Sequence, residues 1–91
     1  MRSSVGLIEP GGSGEFTLDV KNIGATNAIY SVQSLSADFS AELLDFERKG
    51  ADAVCTIRIT PRPEFTGLLR GRVELIASTY THKQDVIGKV G

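Results

Sequence analysis

Apolar and polar side chains alternate along much of the chain, which is the pattern of β-strands that bury one face and expose the other. The two clearest segments are 51–60 and 68–78. Each places an apolar set on a single face: Ala51, Ala53, Cys55, Ile57 and Ile59 in the first, and Leu69, Gly71, Val73, Leu75 and Ala77 in the second. Both segments are predicted to be long strands that face a core.

Shorter segments extend the strand pattern. They are an apolar run at 5–8, a strand at 15–21 with Phe16, Leu18 and Val20 inward, a strand at 28–35 with Tyr30 and Val32 on one face, and a last strand at 84–90 with Val86 and Val90 inward. Clusters of Gly, Pro and Asn at 9–14, 21–24 and 61–63 separate the strands, because these residues favour turns or interrupt a ladder.

The segment 39–46 fits two patterns. Phe39, Ala41 and Leu43 alternate as in a strand, whereas Leu43 and Phe46 also have helical spacing. Because so short a helix is marginal, we favour a short strand that leads to a turn at Lys49-Gly50, with a helix as the alternative. Six or seven strands without a crossover helix predict a β-sandwich.

The turns and strands also follow one another in a recognisable order. A Pro-Gly turn at 8–12 leads to a strand ending in Asn-Ile-Gly at 16–24, then to a strand carrying Tyr30, then to a strand stopped by Pro-Arg-Pro at 55–63. A final Gly67 precedes a long strand. This order resembles that of the immunoglobulin-like (Ig-like) accessory domains appended to extracellular glycosidases and von Willebrand A-type surface proteins. It is also similar to the major-sperm-protein and pilus-chaperone superfamily. The resemblance implies an all-β fold, an antiparallel Ig-like β-sandwich of about seven strands.

Composition narrows the class of protein. The 91 residues suit a single domain, 1–91, which we expect to be excised from a larger protein. Ten Lys and Arg against eleven Asp and Glu give a net charge of -1, without the basic surplus that nucleic-acid binding needs. The apolar runs are too short to insert into a membrane.

The chain has few of the side chains most often used in catalysis or metal binding, with one Cys and one His. Cys55 is predicted to be a buried, inert thiol, and His82 a solvated loop residue. No metal-ligand spacing is present, so we expect no enzymatic activity, no cofactor and no metal.

Arginine placement is the most informative surface feature. If the strands at 51–60 and 68–78 form a hairpin, their outward side chains and the connecting loop form one patch that is suited to protein contact. The patch residues are Arg58, Arg62, Arg70, Arg72, Leu68 and Ile76.

These observations predict a non-catalytic binding or spacer module of a larger surface or secreted protein. Its partner would be a protein, neighbouring domains of the same chain, or an acidic glycan. The alternative is a cytoplasmic scaffold domain of the major-sperm-protein type that binds peptides or self-assembles.

Overall fold

Seven strands make up the regular secondary structure. The structure, a computed structural model, describes residues 2–23, 28–29, 31–78 and 81–91. In chain order the strands are β1 (Arg2–Ile8), β2 (Gly14–Val20), β3 (Ser31–Ser34), β4 (Phe39–Lys49), β5 (Asp52–Pro61), β6 (Gly67–Ile76) and β7 (Thr81–Val90). Segment 39–46 is strand, so the helical alternative is wrong. In these ranges there is also no helix long and apolar enough to cross a membrane.

The strands form two sheets. One has four strands in the order β1-β7-β6-β3, and the other has three in the order β2-β5-β4. All pairs are antiparallel except β1 with β7, which run parallel. Strands β4 and β5 form one hairpin and β6 and β7 another, whereas the connection from β5 to β6 crosses between sheets. The predicted all-β sandwich is confirmed.

The interior contains the apolar faces predicted from alternation. Cys55, Ile57 and Ile59 of β5 are completely buried, as are Leu69, Val73 and Leu75 of β6. The inward positions of Val86 and Val90 in β7 are also confirmed. Ala51 differs, because it lies in the β4–β5 turn and is exposed. Tyr30 lies outside the described residues. Burying one large aliphatic side chain contributes about 1.5–3 kcal/mol, so these faces hold the sheets together.

Two predicted reversals are confirmed. Pro10 and Gly11 turn the chain between β1 and β2, where the Gly12 amide donates to the Glu9 carbonyl at 2.8 Å. Gly11 has φ +81°, which a type II turn after proline requires. The turn at Lys49-Gly50 joins β4 to β5.

The end of β2 is attached to the β4–β5 turn. Asn22 has φ 56°, and its amide donates to Asp52 Oδ1 at 2.9 Å. The Ile23 amide donates to the Ala51 carbonyl at 2.9 Å. The Asn22 hydrogen bond, helped by the charge of Lys21, lowers the pKa of Asp52 from its ordinary 3.8 and outweighs the opposing effect of desolvation. Gly24, the other predicted turn residue, lies outside the described residues.

Two glycines allow close approach between elements. A Cβ atom at Gly71 of β6 would lie 2.7 Å from Phe39 Cε2 and 2.9 Å from Ser36 Cβ, so the Phe39 ring packs directly on the β6 backbone. A Cβ atom at Gly88 of β7 would lie 2.5 Å from Val5 Cγ2. Val5 lies where the β1–β7 register shifts, so this glycine accommodates the β1 bulge.

His82 does not occupy a solvated loop, so that prediction is wrong. Strand β7 begins at Thr81, and His82 pairs with Leu75 of β6. Its ring is half-buried, with Nε2 3.1 Å from Gln84 Oε1. The polar side chains at 81–83 conceal the strand, because backbone pairing in a hairpin does not require apolar side chains.

Candidate interaction surface

The predicted patch does not form a single surface. It depended on a hairpin between the strands now named β5 and β6, but β5 pairs with β2 and β4, and β6 with β3 and β7. Arg58 therefore projects from the three-stranded sheet. The four β6 residues project from the opposite side of the sandwich: Leu68, Arg70, Arg72 and Ile76. The hairpin premise is corrected, because alternation assigns a face to each strand but not a neighbour.

Arg58 is engaged by carboxylates of its own sheet. Its Nη2 lies 3.5 Å from Glu15 and its Nη1 lies 3.4 Å from Glu42, on the strands at either side. Its buried Nε has no hydrogen-bond partner among the described residues. Arg58 thus joins β2, β5 and β4 across their outward face, and its charge is compensated there.

Arg62 stabilises the connection between the sheets. Its guanidinium lies 3.3 Å from Asp38 and 3.4 Å from Glu64. It also stacks at 5.7 Å over the Phe65 ring. These contacts assign Arg62 to loop packing rather than to a shared basic surface with Arg70.

The β6 residues gain apolar and cationic neighbours from β7 and β1. Lys89 pairs with Leu68 on one side and with Leu7 on the other. Leu7 is 71% exposed and Leu68 58% exposed. Three strands therefore present a Leu-Lys-Leu row to solvent, and its two leucines are more exposed than Leu35 and Leu44, the other large exposed hydrophobic residues among those described.

The next rows along the same face carry the arginines. Arg70 pairs with Ile87 and has no ion pair among the described residues. Arg72 pairs with Asp85, and its Nε donates to Asp85 Oδ1 at 2.7 Å. A shallow cleft of about 280 Å³ lies between these side chains. Ile76 shares the face but lies at the far end of β6, opposite Thr81.

We call this surface the apolar–basic face. Its members are Leu7, Leu68, Arg70, Arg72, Ile87 and Lys89. Sequence reasoning missed Leu7, Ile87 and Lys89. Val86 and Val90 were predicted to point inward, and successive side chains of a strand point to opposite faces. That rule could have placed Ile87 and Lys89 on the outward face. The parallel pairing that adds Leu7 has no local signal.

Charge is segregated between the two outward faces. Described side chains on the three-stranded sheet and its end include six carboxylates and four cations: Glu15, Asp19, Glu42, Asp45, Glu47 and Asp52 against Lys21, Arg48, Lys49 and Arg58. On β6 and β7 the outward set has four cations and two carboxylates: Arg70, Arg72, Lys83 and Lys89 against Glu74 and Asp85. The small net charge therefore conceals an acidic side and a basic side.

The predicted burial of Cys55 is confirmed. The side chain is 0% exposed. Burial, together with the charge of Asp45, raises the pKa of the thiol to about 11. Within the described ranges, no group of three or more His, Cys, Asp or Glu side chains is placed to hold a metal ion.

The fold defines the chain as an all-β sandwich domain. No protein-family model matches the chain, and no curated protein matches its sequence. Among solved structures five chains match. One is the Vibrio cholerae VesB protease, with a TM-score of 0.46 and 15% identity over 98% of this chain. This chain spans 30% of the length of that protein.

Proposed function

We propose that this domain is a non-catalytic, Ig-like binding module of a larger surface or secreted protein, and that it contacts a protein through the apolar–basic face. The strand order supports the Ig-like assignment. Constant-type immunoglobulin domains order their second, fifth and fourth strands in one sheet and their third, sixth and seventh in the other. The same neighbours occur here, and the difference is that β1 joins β7.

The observation that carries the contact role is the exposed Leu-Lys-Leu row beside Arg70. Leucines exposed by 58–71% gain from burial by a partner, at about 25 cal/mol for each Å² of apolar surface removed from water. Arginine is enriched at protein interfaces, because its planar guanidinium donates several hydrogen bonds. Arg70 has no ion pair among the described residues, whereas Arg72 is held by Asp85.

A protein partner accounts for this face better than an acidic glycan does. A sulfated glycan would use the cations, Arg70 and Lys89 above all, and would leave the two leucines in water. A protein surface can cover both kinds of side chain. The two partner classes therefore differ in their dependence on Leu7 and Leu68.

Site-specific photo-crosslinking in the producing cells tests the proposal. A photoreactive residue at position 68 is expected to capture a defined partner protein, and the adduct is expected to disappear on Leu7→Ser or Arg70→Glu substitution. Position 44 is the matched control, because Leu44 is also an exposed leucine, 38% exposed, but lies on β4 of the other sheet.

Equal capture from positions 68 and 44 would contradict the proposed face. A sulfated-glycan array measures the competing role. Glycan binding that is lost in the Arg70→Ala/Arg72→Ala double variant but unchanged by Leu7→Ser would replace the protein partner with a glycan.

A further inference from the structure

The four edges of the two sheets are protected to different degrees. Exposed edges invite pairing with another chain, and bulges, short length and charge discourage it. Strand β1 has a register shift and Gly6 at φ +70°. Strand β3 has four residues. Strand β4 has a register shift at Leu43/Asp45 and ends in a charged run at 47–49. Among the described strands these three edges are interrupted, short or charged.

Strand β2 has no register shift and is longer than β3, and its charged side chains, Glu15 and Asp19, are separated outward positions rather than a continuous run. Its seven residues pair with β5 in an unbroken register from Gly14 to Val20. It has no proline, and its inward positions are apolar, with Phe16, Leu18 and Val20 buried. A regular edge of seven residues is about 24 Å long at 3.4 Å per residue, which is enough to pair with a peptide of similar length.

Among the described residues, no strand pairs with β2 on the side away from β5. In an antiparallel ladder, successive residues direct their N–H and C=O groups to opposite sides, so about half of these groups point outward. In the described part of the chain, no backbone hydrogen bond reaches residues 15–19 from that side. A groove of about 670 Å³ lies along this edge, between β2 and Ser3 and Ser4 of β1. The edge therefore has both free hydrogen-bonding groups and space for a strand.

The outward side chains of β2 select the charge of the occupant. Glu15, Thr17 and Asp19 project from the acidic face, and Asp19 has no ion pair among the described residues. An added strand would place its own outward side chains directly beside them. Opposite charges at such cross-strand positions stabilise pairing, and like charges oppose it. Lys or Arg at alternate positions of the occupant therefore complements this edge.

A second copy of the same edge is a poor occupant. An antiparallel pair of β2 strands centred on Thr17 would set Glu15 of each copy opposite Asp19 of the other. Two such carboxylate pairs are repulsive. The charge pattern thus favours a different segment over self-association.

We propose that the β2 edge binds an extended peptide segment with basic side chains at alternate positions and small or apolar ones between them, by adding it as a further strand to the three-stranded sheet. Main-chain hydrogen bonds would supply affinity and the alternate basic side chains specificity, as in other cases of strand addition. This site lies on the acidic side of the sandwich and does not depend on the apolar–basic face.

The test uses the isotopically labelled 91-residue chain and the acetylated, amidated peptide Lys-Val-Lys-Val-Lys-Val-Lys. NMR titration is expected to shift the amides of residues 15–19, and amide exchange at alternate β2 positions is expected to slow. The same peptide N-methylated at its interior residues keeps its charge but loses its main-chain donors, so it is expected not to slow exchange.

Charge reversal on the two edges of the same sheet separates strand addition from diffuse attraction. Asp19→Lys is expected to weaken peptide binding about fivefold, the effect of losing a favourable cross-strand ion pair. Glu47→Lys is the matched control on β4, with an expected change of less than about twofold.

Equal weakening by both substitutions, or equal binding of the N-methylated peptide, would overturn strand addition. Sedimentation that shows a dimer of the wild-type chain, together with slowed amide exchange at residues 15–19 in that dimer, would also overturn it, by making a second copy the occupant. Crosslinking at position 68 is unaffected by any of these results, so the two proposals fail independently.

Discussion

A methyl group added at Gly71 is expected to destabilise the domain, because the Phe39 ring occupies the space that the methyl group needs. The new Cβ would lie 2.7 Å from Phe39 Cε2 and 3.0 Å from Phe39 Cζ, with Ser36 Cβ at 2.9 Å on another side. Phe39 is 5% exposed, so its ring has little room to withdraw. Either the ring leaves its rotamer or the start of β4 moves away from β6.

Two effects of opposite sign determine the size of the change. Overpacking of a buried site costs about 1–3 kcal/mol. Replacing Gly by Ala at a backbone conformation that Ala can adopt lowers the conformational entropy of the unfolded chain, which raises the free energy of unfolding by about 0.4–1 kcal/mol. The net expectation for Gly71→Ala is a loss of about 1–2 kcal/mol in the free energy of unfolding. In a domain of this size each kcal/mol lowers Tm by about 4–8 °C.

Urea denaturation of a double-mutant cycle tests the reasoning. Phe39→Leu removes the ring atoms nearest to position 71 but leaves Ser36 Cβ at 2.9 Å, so Gly71→Ala in that background is expected to cost about 1 kcal/mol less than in the wild-type chain. The coupling between the two substitutions would then be about 1 kcal/mol, well above the scatter for independent sites. If Gly71→Ala costs the same in both backgrounds, or stabilises the wild-type chain, the ring does not pack on the glycine as described.

Two further predictions concern titratable groups. Cys55 is buried, and the pKa of its thiol is raised to about 11. A disulfide reagent at pH 8 is therefore expected to label Cys55 only as fast as the chain unfolds. Rapid labelling of the native protein would contradict this expectation. The lowered pKa of Asp52 contributes stability that is present above its ordinary 3.8 and is lost as pH falls through the lower folded value. The urea midpoint of the wild-type chain is therefore expected to fall more steeply below pH 4 than that of Asp52→Asn, and parallel curves for the two proteins would show that this carboxylate does not contribute.

Alternation along the chain was sufficient to predict the buried face of each long strand but not its neighbours. The inward sets of β5 and β6 follow from a period of two, because successive side chains point to opposite faces. Pairing depends on how the two sheets close around the core. Strands consecutive in sequence are often adjacent, and that expectation wrongly joined Arg58 to Arg70.

For the candidate surface too, the sequence predicted which residues of one strand share a face but not which other strands lie beside it. Four of the six patch residues share a face because they belong to a single strand, β6. Leu7 joins them through a parallel pairing between the first and last strands, whose contacts are more than 80 residues apart in sequence. The sequence pattern within either strand does not indicate which distant strand it pairs with. His82 was misplaced because a hairpin extended β7 into a polar stretch.

The parallel pairing of β1 and β7 also determines how the domain would respond to mechanical tension. Arg2 is paired near Asp85, whereas Ile8 is paired with Val90. A pulling force applied at residues 2 and 91 therefore acts along the two strands in opposite directions, with the attachment points about 20 Å apart at 3.3 Å per residue. The interstrand hydrogen bonds would be sheared together rather than unzipped one after another, so the first and last strands form a mechanical clamp across the domain.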